Sequence, residues 1–194
     1  SVSVLTHGVE ALHNLNGYLP DGEFQPDGIV VRGVKEALSR GVLDNERNLV
    51  IKSLDMEDIF SANSILIPKL VSEKLIEGLP SVIEAYGDDE EIMTKVSSIM
   101  ARLAVNPVAL DRLMETNSLQ YLIKAMAKNR EWKLFNENGM LTIHHATQTE
   151  KGKNFTIANG GLEVVENFDI NNEDPMLRAL TAGIIMQLKT APVV

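Results

Sequence analysis

Apolar residues in this chain recur at intervals of three and four rather than two. That period places them on one face of a helix, whereas a half-buried strand would alternate. The clearest stripe is Leu177, Leu180, Ile184 and Leu188, a face that needs a core to lie against. The pattern also returns along the chain, in "EGLPSVIEAYGDDEEIMTKVSSIMARLAV" from Glu77, "NSLQYLIKAMAKNREWKLFNENGMLTIHHAT" from Asn117 and "GGLEVVENFDINNEDPMLRALTAGIIMQLKT" from Gly160. Each stretch opens on a small or turn-forming residue, runs into a short apolar helix, breaks at polar residues and resumes as a longer helix. Leu79, Leu119 and Leu162 take equivalent places, 40 and 43 residues apart. In a more diverged copy, Val34 lies 45 residues before Leu79.

Short helical segments, "ILIPKLVSEKLIEG", "NPVALDRLMETN" and "EKGKNFTIANG", join these units. They end at Gly78, Asn117 and Gly160, residue types that tolerate the left-handed backbone that ends a helix and turns the chain. The unit is therefore three helices, and the fold class is all-α. The chain divides as one stack: a trailing third helix over residues 1–17, a loop or insertion over 18–32, and units over 33–76, 77–117, 118–160 and 161–194. The loop is signalled by "NGYLPDGEFQPDG", where prolines and glycines interrupt the helical pattern.

The period of about 42 residues, the small-residue corner and the long third helix resemble the armadillo repeat family, with HEAT repeats as the close alternative. "VEALHNLNG", from Val9 to Gly17, looks like the end of such a third helix, with Asn14 where the family often carries asparagine. The resemblance implies a right-handed superhelical α-solenoid in which stacked repeats share one continuous core. It implies a concave groove, lined by the third helices, that binds an extended peptide or a helix of a partner protein without catalysis. A protein–protein interaction scaffold without a cofactor, as one segment of a longer protein, is the function expected; a nuclear-import-type cargo adaptor and a structural element of a cytoskeletal or ciliary assembly are the alternatives.

The family's import adaptors carry a Trp on the third helix with an Asn four positions later. The matching pairs here are Glu10 with Asn14, Ser98 with Arg102, Gly139 with Ile143 and Gly183 with Gln187. Only Asn14 keeps the pattern, which counts against the adaptor. Helical spacing adds Lys95 to one wall and Trp132 to the next, so the expected groove comprises Asn14, Lys95, Ser98, Arg102, Trp132, Gly139, Ile143, Gly183 and Gln187. Trp132 is either a contact residue, tryptophan being common at binding hot spots, or ordinary core. Gly139 and Gly183 admit the close approach of a neighbouring helix or of a ligand's backbone.

The net charge of −9 and the absence of adjacent basic residues disfavour nucleic acid, which attracts clustered Lys and Arg. A protein or peptide partner, with basic character, fits the charge better. No stretch has the roughly 18 consecutive apolar residues of a membrane span, and the expected location is intracellular and cytoplasmic. With no cysteine, thiolate chemistry is excluded. "EKGKN" lacks the first glycine of a phosphate-binding loop, and neither a zinc-protease motif nor a serine nucleophile elbow occurs. No enzyme activity, cofactor or metal site is expected. The neighbours His144 and His145 point about 100° apart on a helix, a poor arrangement for one ion; His145 is expected on the packed side near Leu141, and His144 on a flank.

Overall fold

The computed structural model describes residues 2–18, 26–171 and 174–190. Twelve α-helices fill them: α1 (Val2–Tyr18), α2 (Gly28–Leu43), α3 (Arg47–Ala62), α4 (Ile67–Ser72), α5 (Leu79–Tyr86), α6 (Glu90–Ala104), α7 (Pro107–Glu115), α8 (Ser118–Lys128), α9 (Lys133–Ala146), α10 (Glu150–Ala158), α11 (Gly161–Asn171) and α12 (Pro175–Lys189). A 3-10 turn, Ile76–Gly78, leads into α5. Side-chain caps start several of them. Asp27, Asp89, Asn106, Thr149 and Asp174 each accept a hydrogen bond from a backbone N–H in the first turn that follows, satisfying donors that the helix itself leaves orphaned.

The helices fall into repeating triplets whose buried positions follow one frame. On α3 these positions are Leu49, Val50, Ser53, Leu54, Met56, Glu57, Phe60 and Ser61. Adding 43 residues to each gives buried residues of α6, from Ile92 to Ala104, and adding 43 again gives those of α9, from Phe135 to Ala146, with its C-cap Thr147. The same shift of 43 relates α4 to α7 through Ile67 and Leu110, and the segment 76–86 to α8 through Ile76 and Leu119. Only the first and last connections depart from it: α2 leads α5, and α12 follows α9, at 45 residues. Repeats in such strict step present the same face to their neighbours, so one core runs through the stack.

The step differs from the spacing of 40 read between Leu79 and Leu119, and the reason is local. Gly78 does not form the expected left-handed corner, its φ being −76°. The corner is Lys74, at φ 59°, matched 43 residues on by Asn117 at 61° and then by Gly160 at 79°. The three residues of the 3-10 turn restore the frame before α5 begins. The predicted loop over 18–32 is also too long at its C-terminal end, because Asp27 caps α2 and the helix runs from Gly28; residues 19–25 of that loop, like residues 191–194 of the last unit, lie outside the described part.

Polar clasps close the seams between repeats on both surfaces. Arg47 reaches Asp89 at 2.6 Å and Glu91 at 2.7 Å, Lys95 reaches Asp55 at 2.5 Å, Arg102 reaches Asp58 at 3.3 Å and Lys151 reaches Asp111 at 2.7 Å. The Arg47 guanidinium holds the Asp89 carboxyl below the usual carboxylate range.

A candidate partner-binding wall

The third helices α3, α6, α9 and α12 stand side by side, and their outward faces form one wall. With the frame of 43, four rows cross it: Asn48, Glu91 and Leu134; Lys52, Lys95 and Asn138; Asp55, Ser98 and Leu141; Ile59, Arg102 and His145. With the shift of 45, α12 continues these rows as Ala179, Gly183, Met186 and Thr190. Every residue in the rows is exposed or half-buried.

The first two helices carry charges that pair across the seam rather than facing outward. Lys95 Nζ donates to Asp55, and Ser98 Oγ donates to Asp58 Oδ1 at 2.9 Å. Arg102 leans on the same Asp58. Lys52 differs: it has no acidic partner among the described residues. On α9 two of the four rows become apolar, with Leu134 57% and Leu141 40% exposed. Between those leucines Asn138 donates a long bond, 3.4 Å, to Ser97 Oγ. On α12 Met186 is 66% exposed, and a Cβ placed on Gly183 would meet nothing within 4 Å.

The expected groove residues divide accordingly. Lys95, Ser98, Arg102 and Gly183 stand on the rows, and Asn14 is exposed on α1. Gln187 is set back and half-buried, its Oε1 accepting from Thr147 Oγ1 at 2.6 Å. Gly139 and Ile143 do not line the wall. Ile143 is fully buried, and Gly139 lies against Met126 of α8, with no room for a Cβ beside the thioether. The pair lies 41 residues after Ser98 and Arg102, two short of the frame of 43. The true mates of Ser98 and Arg102 on α9 are Leu141 and His145. Trp132 sits just before α9, half-buried, its ring edge-on to Phe135 at 5.9 Å. Next to it the buried Asn136 amide donates to the carbonyls of Asn129 and Trp132, both at 2.8 Å, and so fixes the turn between α8 and α9.

The histidine pair also changes places. His145 is on the wall, in the row of Arg102, and His144 carries the buried Nδ1, which lacks a partner. Their rings are 5.5 Å apart at 61°. Desolvation, and then the proximity of His144, lowers the His145 pKa below the ordinary histidine value. Among the described residues no cluster of His, Asp or Glu is arranged to hold a metal ion, and no helix is long and apolar enough to cross a membrane.

A continuous core flanked by a wall of aligned third helices is the geometry of a three-helix α-solenoid. Solved structures with this arrangement exist. A designed armadillo repeat protein, YIII(Dq.V1)4CPAF in complex with the peptide (KR)4, superposes with a TM-score of 0.69 at 14% identity, covering 81% of this chain and 64% of that one. A second, designed armadillo repeat protein YIII(Dq)4CqI, gives a TM-score of 0.70 at 15% identity, with 81% and 64% covered. An engineered protein gives 0.69 at 12% identity over 82% of this chain and 64% of its own. The chain thus spans slightly under two thirds of the length of these proteins. No family model matches the sequence, and no curated protein matches it. The fold is an armadillo-type α-solenoid, a stack of three-helix repeats.

Proposed function

We propose that this chain is a non-catalytic scaffold that binds an extended segment of a partner protein across the concave wall. The observation carrying this reading is the alignment of the rows. Asp55, Ser98, Leu141 and Met186 repeat at one helix spacing, roughly 8–10 Å, so a chain laid across the wall meets a side chain of the same row at every helix. One of the structures sharing the fold is a designed protein in complex with (KR)4. Rigid secondary structure supplies the wall, and a preformed surface spares the partner-binding residues much of the ordering cost of association.

The test compares wall and outer surface. Ser98→Glu and Leu141→Asp change exposed or half-buried row residues, while Val108→Asp and Ile157→Asp change exposed residues of the outer helices α7 and α10. Wall substitutions are expected to reduce partner capture in a crosslinking pull-down while far-ultraviolet circular dichroism is retained. Capture that survives both wall changes and is lost with the outer ones would move the interface to the convex side and favour an assembly element instead.

A further inference from the structure

The rows also say what kind of segment the wall suits, given the scaffold reading above, on which this inference rests. The central row reads Lys52, Lys95, Asn138 and Gly183, two cations followed by two uncharged residues. The flanking rows on α9 and α12 read Leu134 with Ala179, and Leu141 with Met186. The acids of the wall are already engaged: Asp55 by Lys95, Asp58 by Arg102, and Glu91 by Arg47. A basic peptide would have to break those pairs and then run over Lys52 and Lys95. The net acidity of the whole chain, which suggests a basic partner, is therefore not the charge that the wall presents.

We propose that the concave wall binds an extended segment carrying adjacent apolar residues over α9 and an acidic residue over α3. Successive side chains of an extended strand point to opposite sides. A backbone crossing α9 above Asn138 would send one apolar side chain towards Leu134 and the next towards Leu141, with the Asn138 amide left to hydrogen-bond the peptide group between them. Two helix spacings separate α9 from α3, roughly 16–20 Å, which is about five or six residues of extended chain. At that distance an Asp or Glu meets Lys52, the cation of the wall without an acidic partner among the described residues.

A random library of 12-residue peptides displayed on phage tests this, with the folded chain, its Leu141→Asp variant and its Lys52→Glu variant as baits. Circular dichroism checks that each bait is folded. The expected result is enrichment, on the unsubstituted chain over Leu141→Asp, of peptides with two neighbouring apolar residues and an Asp or Glu about five residues away. The Lys52→Glu bait should convert that acidic preference into one for Lys or Arg. Enrichment of basic peptides resembling (KR)4 by the unsubstituted chain overturns the proposal and leaves groove binding intact. An acidic preference unchanged by Lys52→Glu also overturns it. If no peptide class distinguishes the chain from Leu141→Asp, the scaffold reading itself fails.

Discussion

Glu57 occupies a place where a carboxyl is out of keeping. Its mates in the neighbouring third helices are Met100 and Ile143, both fully buried, and Glu57 itself is 1% exposed. Its Oε1 has no hydrogen-bond partner, and neither has Oγ of Ser53, one turn earlier on the same face. Val50, on the same face of α3, lies against Gly41 of α2. The buried residues of α2 are Val31, Val34, Ala37, Leu38 and Gly41, and those of α4 are Ile67 and Leu70, so neither helix turns a buried charge inward. Burial alone raises the Glu57 pKa well above the ordinary carboxylate value. The folded chain holds this proton where the unfolded chain releases it. Stability is therefore full below the unfolded-state pKa, near 4.5, and declines as the pH rises towards the folded-state value. One proton gives a slope of about 1.4 kcal/mol per pH unit within that window. Glu57→Met, the residue of the next repeat, removes the slope. It also removes an unsatisfied buried group, worth about 1–3 kcal/mol, and for a chain of this size each kcal/mol is about 2–4 °C in Tm. Urea unfolding of both proteins at half-unit intervals from pH 4.5 to 8 measures all of this. A wild-type slope that persists in Glu57→Met, or a substituted protein that is less stable at pH 7, would refute the burial argument.

Other substitutions follow from particular backbone and packing sites. Gly183→Ala, with open space around the new methyl, should raise stability by up to about 1 kcal/mol in the same unfolding assay. Gly152→Ala sets its Cβ against the backbone carbonyl of Ala146, which cannot swing aside, and should cost about 1–3 kcal/mol. Lys74→Gly relieves a left-handed lysine; strain of about 1–2 kcal/mol less the added chain entropy of glycine predicts a small gain in Tm, and an unchanged or lower Tm would contradict the corner assignment. His145 acts in the opposite sense to Glu57. Its lowered pKa means that the unfolded chain takes up the proton first, so stability is full above the unfolded value of 6.5 and falls as the pH drops through the window below it. In the Glu57→Met background Tm should fall slightly from pH 7 to 5.5, and His145→Gln should abolish that decline; a decline that survives it would assign the effect elsewhere.

Helix identity and the tripartite unit were legible because periodic apolar residues, Asp and Asn caps, and the corners at Asn117 and Gly160 all carry local signals. The frame was not. Gly78 has the residue type of a corner without its conformation, and Lys74 has the conformation without the residue type. Pairing Leu79 with Leu119 falls three residues short of the frame, and on the wall a spacing of 41 falls two short, placing Gly139 and Ile143 where Leu141 and His145 belong. The signal that would have corrected it lies in the long helices themselves, where Leu49, Ile92 and Phe135 recur at 43. The ion pairs across the seams could not be read at all, because which of many surface charges meet depends on how neighbouring helices lie.

The two connections that hold extra residues, before α3 and before α12, leave the rows of the third helices unbroken. Length changes are thus absorbed at the corners, and the spacing of the wall is insulated from them. A lineage of such chains could gain or lose residues between helices while an inherited partner went on meeting its contacts at the same intervals. An insertion within a third helix would have the contrary effect: it would rotate every later contact off the wall and into the core.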